Sequence, residues 1–355
     1  MRQRKSLLQQ TLHYFSRPHT DMPTAPVESA AAWRASDFGD DDWKYQLDAS
    51  EVSELRRAVR VARTSGKPLR NMRRTDFPLP TLSARIAEWR RELSRGRGFV
   101  VFRGVPVGDW SDAEAEVFFW CLGLHFGTPG AQNPDGDLLG HVRDQGVDYE
   151  SGVRAYRTNV EISYHCDAAD VVGLCCARTA KSGGMSRIAS SVTVFNEVLR
   201  RRPDLVPLLF EPHVFDTRAN GGVAFFPVPP ARFCSGQLRT FYHSDYFRSA
   251  ARHPGVPELD PRFIELLDLY DEIACSPEVY LQMELAVGDV QLLSNHTQVH
   301  ARTSYEDHDD PALRRHLLRL WISLPERQPL AERLLTSRAR MSLFSTLVRE
   351  RWRQR

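Results

Sequence analysis

His165 and Asp167 stand one spacer apart, and His300 lies far downstream in the stretch NHTQVHART. In a strand, residues two apart face the same side, so His165 and Asp167 would offer an imidazole and a carboxylate to one metal ion. A second imidazole from His300 completes a two-His, one-carboxylate face, the donor set of non-haem ferrous sites, and leaves other coordination positions open. Oxygen and an oxidisable co-substrate can bind there. A second stretch, HLLRLWISL, alternates so that Leu317, Arg319 and Trp321 share one face and Leu318, Leu320 and Ile322 the other. A guanidinium on such a strand is costly unless it meets an anion, and its planar fork suits a carboxylate. An internal ion pair with an acidic residue is the alternative.

The His-x-Asp spacing occurs four times, at His19/Asp21, His165/Asp167, His243/Asp245 and His308/Asp310, so the spacing alone selects nothing. His19 follows Pro18 in a polar stretch, and His308 lies in the acidic run Glu306 to Pro311, which reads as a solvated loop. RTFYHSDYF around His243 alternates well enough to be a strand and is the serious competitor. His165 is favoured by its downstream neighbours: the buried-strand run VVGLCCA, a turn from Lys181 to Gly184, and a strand-like Ile188 to Val194 that leads into a helix.

YHCDAADVVGLCCARTAKSGGMSRIASS, HARTSYED and RHLLRLWIS together resemble the iron(II)- and 2-oxoglutarate-dependent dioxygenases of the taurine dioxygenase (TauD/TfdA) type, from about Phe99 to about Leu324. The resemblance implies a mainly β fold with flanking helices around a double-stranded β-helix, a cupin-like jelly-roll. It also implies Fe(II), with 2-oxoglutarate and O2 as co-substrates. His165, Asp167 and His300 match the family's iron ligands, and Arg319 matches the arginine that binds the far carboxylate of 2-oxoglutarate. Arg315 is the fallback anchor, because Glu306 to Pro311 lengthens the spacing from His300. Arg315 also resembles the arginine that receives an anionic substrate in taurine dioxygenase, and it could instead end in solvent beside Asp309 and Asp310. Ser186 stands where relatives place a threonine that helps hold 2-oxoglutarate. His296 is the rival of His300; the ligand in the family precedes a small residue and an arginine, here Ala301 and Arg302, which leaves His296 as a hydrogen-bonding turn residue. The related halogenases have a small residue where this chain has Asp167, so the implied reaction is hydroxylation or another oxygenase-type oxidation of a small molecule, with succinate and CO2 released. A zinc hydrolase on the same barrel, or a catalytically silent metal-binding barrel, are the other classes.

The elements that must position these residues are partly readable. Asp48 with Glu51 forms a capping box opening a helix with Val52, Leu55, Val59 and Ala62 on one face, and Leu82, Ile86, Trp89 and Leu93 mark a second helix. Phe99 to Phe102 reads as a strand and Ser111 to Phe126 as a helix whose Phe118, Phe119 and Trp120 belong to the core. Residues 129–160 form a long connection able to cover the metal, with Gln132, Asn133 and Tyr156 as candidate substrate contacts. Asn220 to Pro230 and Phe241 to Phe247 shape the pocket. The expected organisation is a flexible extension over 1–28, a dioxygenase domain over 29–330, and a basic helical segment over 331–355 packed on the barrel or in a dimer contact.

Composition excludes several partners. With 47 basic and 45 acidic residues the formal charge is +2, which gives nucleic acid no electrostatic footprint. No apolar run is long enough to span a membrane. The six cysteines contain no C-x-x-C pair and read as free thiols of a reducing compartment, the cytoplasm. Cys166 is expected to pack away from the metal. The Arg-containing, acid-free start up to Asp21 could also be read as a transit sequence.

Overall fold

The structure is a computed structural model describing residues 4–39, 43–147, 155–218, 223–325 and 329–354. Its centre is a pair of facing sheets. One runs β1 (Lys44–Gln46), β2 (Phe99–Arg103), β14 (Val290–Ser294), β6 (Val171–Arg178), β17 (His316–Ser323) and β3 (Thr128–Gly130), with β4 (Leu139–Val142) also paired to β17. The other runs β13 (Tyr280–Met283), β8 (Ser186–Ser190), β15 (Gln298–Arg302) and β5 (Ile162–His165). β1 and β2 pair in parallel; the ladders β14/β6, β6/β17, β8/β15 and β15/β5 are antiparallel. Three short ribbons accompany them: β7 (Ser182–Gly183) with β16 (Tyr305–Glu306), β9 (His213–Asp216) with β10 (Phe225–Val228), and β11 (Ala231–Cys234) with β12 (Gln237–Thr240).

Alternation on these strands builds three apolar layers. Val101, Val172, Ile188, Leu317 and Trp321 fill the space between the sheets. Val100, Phe102, Leu318, Leu320 and Ile322 face outward onto α2 (Ala49–Thr64), α3 (Ser83–Arg95) and α4 (Asp112–Phe126). Ala189 and Val299 back the second sheet against α5 (Ser191–Arg201) and α8 (Pro261–Ala274); α6 (Val206–Phe210) and α7 (Ser244–Arg248) pack in the same layer. This is the expected double-stranded β-helix with flanking helices. The Asp48/Glu51 box caps α2, Ile86, Trp89 and Leu93 are buried on α3, and the α4 aromatics are core. Gly173 on β6 allows the close approach of α4: a Cβ there would lie 3.2 Å from Phe119 and 2.9 Å from Leu292.

Several expectations are corrected. The strand from Ile188 ends at Ser190, whose hydroxyl accepts the Thr193 N–H and caps α5. The β-branched Val192, Thr193 and Val194 are therefore helical. RTFYHSDYF is not one strand: β12 stops at Thr240, and His243 precedes the short helix α7. Residues 4–28 are not wholly a flexible extension. They contain α1 (Leu7–Phe15), opened by a capping box in which Ser6 accepts the Gln9 N–H and Gln9 accepts the Ser6 N–H. Tyr14 and Phe15 on it are 2% and 8% exposed, and burying two aromatic side chains fixes the helix to the barrel. The basic C-terminal segment forms α9 (Leu330–Arg353), which buries Leu347 and leaves Leu334, Met341 and Trp352 exposed. Residues 148–154 of the long connection and 220–222 of the Asn220 to Pro230 excursion lie outside the described residues. No helix among the described residues is long and apolar enough to cross a membrane.

Candidate metal centre and its cavity

His165 is the last residue of β5, and His300 faces it in register from β15, with ring centroids 4.1 Å apart. The Asp167 carboxylate closes the group: one ligand atom from each of the three lies within 4.8 Å of the others. Asp167 is not on the strand, as simple alternation required. It lies just past the end of β5, where its N–H donates to Asn295 Oδ1 at 3.0 Å, while Asn295 Nδ2 donates to the Ala169 carbonyl at 2.9 Å. Asn295 is fully buried, so a rigid amide shapes the turn that presents the carboxylate.

The donor set suits a divalent ion. The His165 Nδ1–H donates to the Ser163 carbonyl at 2.9 Å, which leaves the Nε2 lone pair for a metal. Burial, followed by the neighbouring His165, pushes His300 down to about 3, so it remains a neutral imidazole. His300 Nε2 lies 3.8 Å from Asp167 Oδ2, and its Nδ1 is buried without a hydrogen-bond partner. Two imidazoles, that of His300 held neutral by burial, and one carboxylate match a ferrous site with open positions.

The other triplets go elsewhere. Asp245 accepts from Ser163 Oγ rather than pointing at the cluster, while His243 lines the same cavity, its ring 5.1 Å from that of His165. His19 accepts the Phe233 N–H and stacks on Phe210. His308 is not part of the cluster. His296, the rival of His300, bonds Asp170 at 2.9 Å and stacks on Tyr14; burial lowers it to about 4.

The two arginines four apart on and before β17 have different surroundings. Arg319 lines the cavity. Its Nη1 is 3.7 Å from Asp167 Oδ1, its Nε donates to Gln132 Oε1 at 2.7 Å, and its guanidinium lies 4.5 Å from the Tyr156 ring. Gln132 is thus a support for Arg319, Tyr156 a cavity residue, and Asn133 a turn residue bonded to Asp137. Arg315 does not end in solvent: it is 6% exposed, and its Nη1 is buried without a hydrogen-bond partner. Arg315 and Arg302 stand 4.9 and 4.8 Å from the Tyr305 ring, and burial, then Arg315, lowers Arg302 to about 10. Gly184, at φ +70°, leaves room for Arg315: a Cβ there would sit 3.1 Å from its Nε. Ser186 pairs with Arg302 in register, and its hydroxyl bonds Gln291. Cys166 packs its thiol toward the Gln298 carbonyl. Asn295 has no role that the sequence alone assigns; its place five residues before His300 is visible there, but its bonds require the tertiary fold.

A jelly-roll whose strands bring two histidines and an aspartate together, with the buried Arg319 lining the cavity beside them, defines the class of non-haem iron oxygenases. Residues 65–321 match the profile described as the taurine catabolism dioxygenase TauD, TfdA family. The chain is 32% identical over 330 residues to FR-33289 synthase of Streptomyces rubellomurinus, covering 88% of this chain and 95% of that protein. It is 27% identical to a taurine hydroxylase-like protein, SAT17, of Stachybotrys chartarum, covering 81% and 77%. Among solved structures, an asparagine oxygenase complexed with Fe(II), hydroxyasparagine and succinate matches with TM-score 0.63 at 17% identity, covering 79% of this chain and 93% of that one. The non-haem iron oxygenase OrfP with Fe and α-ketoglutaric acid matches with TM-score 0.59 at 16% identity, covering 79% and 94%. The chain belongs to the TauD/TfdA family. It is an Fe(II)- and 2-oxoglutarate-dependent dioxygenase, with O2 as the second co-substrate, and family membership selects this class over the zinc hydrolase and the silent barrel.

Proposed function

We propose that His165, Asp167 and His300 hold the ferrous iron and that the enzyme oxidises an unactivated C–H bond of a small anionic metabolite. The observation that carries this is the three-donor cluster beside a cavity lined by His165, Asp167 and Arg319, with the Arg319 guanidinium 3.7 Å from Asp167 Oδ1. Bound iron supplies the oxidative decarboxylation of 2-oxoglutarate to succinate and CO2 and the coupled oxidation of substrate. The chain's own residues orient the partners. Anaerobic addition of Fe(II) and 2-oxoglutarate is expected to give the visible absorption of a chelated 2-oxo acid. His165→Ala, Asp167→Ala and His300→Ala should each abolish it, and His243→Ala should keep it. Loss in the His243 variant alone would overturn the assignment.

For the co-substrate clamp the surroundings favour Arg315, with Ser186 paired to the neighbouring Arg302, over the Arg319 expected from sequence. Ser186 and Arg302 lie two residues along their strands from the His300 rung, about 6.6 Å at the usual rise per residue. That displacement suits the far carboxylate of a five-carbon diacid chelated at its other end. The unpartnered Nη1 of Arg315 is a donor awaiting an anion in that region. Arg319, 3.7 Å from a ligand oxygen, is left for an anionic group of the substrate. Arg315→Lys should raise the 2-oxoglutarate requirement about tenfold or more with iron binding intact, and Arg319→Lys much less. The reverse order would return the clamp to Arg319. A screen of acids against their neutral amides, repeated in Arg319→Leu, tests the substrate charge.

The cytoplasmic reading is supported by six free cysteines, five of them buried, without a disulfide among the described residues. The exposed Leu334, Met341 and Trp352 of α9 offer apolar surface for a second copy, which light scattering on the full chain tests.

A further inference from the structure

The cavity above the metal cluster has a wall that the family profile does not include. Leu7, Thr11 and Phe15, spaced by four on α1, line it, and so does Leu347 of α9; all lie outside residues 65–321. Phe15 meets Phe241 and Phe226 edge-on at ring separations of 4.4 and 5.4 Å, and Phe215 meets Phe241 at 4.7 Å. His165, Asp167 and Arg319 therefore share one cavity with an aromatic box of Phe15, Phe215, Phe226 and Phe241.

The register of α1 is fixed from the face adjoining this one. Gln10 Nε2 donates to the Ala168 carbonyl at 3.2 Å, and Tyr14 OH donates to the Asn295 carbonyl at 2.9 Å. Asp170 accepts from His13 Nε2 at 2.7 Å, from Arg17, from His296 Nε2, and from the Leu324 N–H at 2.9 Å. Ala168 and Asp170 directly follow Asp167 in the chain, and Asn295 bonds its N–H. The helix is thus bolted to the same turn that presents the carboxylate, which sets where Leu7, Thr11 and Phe15 stand relative to the reacting centre. An apolar box held at fixed distance from a charged end recognises an amphiphile.

We propose that α1, with Leu347 of α9, is the specificity wall of this enzyme, and that it selects substrates in which the anionic group carries an apolar body, aryl or branched alkyl, reaching Phe15 and Phe241. This deepens the oxygenase reading and rests on it. Leu7 and Phe15 close the box on the apolar body, and Thr11 sits midway along it.

The test uses the full chain and a ladder of acids with growing apolar bodies: acetate, butyrate, hexanoate and 3-phenylpropionate. Heat of binding to the metal-free protein is measured first, then stimulation of succinate release by the Fe(II)- and 2-oxoglutarate-loaded enzyme. Wild type is expected to bind 3-phenylpropionate at least about tenfold more tightly than acetate, the ratio expected from burying one aromatic ring. Thr11→Trp, which fills the box, should erase that ratio while acetate binding stays within about twofold. Phe15→Leu, a milder change that enlarges the box, should shift the preference toward a bulkier acid such as 4-phenylbutyrate. Leu8→Ala, on the exposed face of the same helix at 47% exposure, should change nothing. A flat ladder in wild type overturns the proposal, as does a Thr11→Trp ladder identical to that of Leu8→Ala. Absence of the chelate absorption in wild type would instead refute the metal and co-substrate assignment, while the metal-free ladder would still read the wall.

Discussion

At the scale of single residues, the decisive position is Asn295. Its side chain holds both the N–H of Asp167 and the carbonyl of Ala169. Asn295→Ala is expected to weaken Fe(II) or Co(II) affinity about tenfold or more, the usual cost of losing a support behind a metal ligand. Metal titration followed by absorption checks it, and unchanged affinity would show that the turn holds itself. In the sequence, His165, Asp167 and His300 are marked by the apolar run after His165 and the Ala301–Arg302 pair after His300. Strand alternation is the wrong reason for Asp167, because it assumes that the strand continues and β5 ends at His165. Arg315 shows the opposite limit: spacing makes it a candidate, but its burial depends on the ribbon of β7 and β16 and on the φ of Gly184, neither of which is written locally.

At the scale of elements, the capping boxes at Asp48 and Ser111 open helices whose bounds agree with their sequence patterns. The same signal, Ser6 with Gln9, stands at the start of α1, but the stretch around it is short and basic and reads locally as an extension. A nine-residue helix has little stability of its own; Tyr14, Phe15 and the bonds to Asp170 hold it, and such long-range partners are invisible to a local pattern. Packing in the other direction is sharper. Gly173→Ala would place a Cβ 2.9 Å from Leu292 and 3.2 Å from Phe119, so α4 or its side chains must shift. The expected cost is about 1–3 kcal/mol, read from the denaturant midpoint, and an unchanged midpoint would mean that the layer between β6 and α4 yields freely.

At the scale of the whole molecule, buried neutral histidines tie stability to pH. Burial, then His141 and Arg178, pushes His316 down to about 4 from the ordinary 6.5, and burial places His296 at about 4 as well. Their folded values lie below the unfolded one, so on acidification the unfolded chain takes up protons first. Their contribution is complete above 6.5 and is lost as pH falls toward 4. The unfolding midpoint of the metal-free protein should therefore drop between about pH 6.5 and pH 4, and His316→Gln should flatten the slope. An equal slope in that variant would assign the effect to other groups.

The helices α1 and α9 come from opposite ends of the sequence, yet Leu7 and Leu347 line one cavity. The cavity thus has a history as well as a shape. During synthesis the residues of the metal cluster have all been made while Leu347 is still to be added, and in refolding the contact that closes the wall spans nearly the whole chain, the costliest loop to close. Iron and 2-oxoglutarate should be captured by a protein whose substrate chamber is still open on one side. In a refolding time course the chelate absorption should return before tight binding of 3-phenylpropionate does, and the interval between them would measure how long the young enzyme can react with oxygen before it can choose what to oxidise.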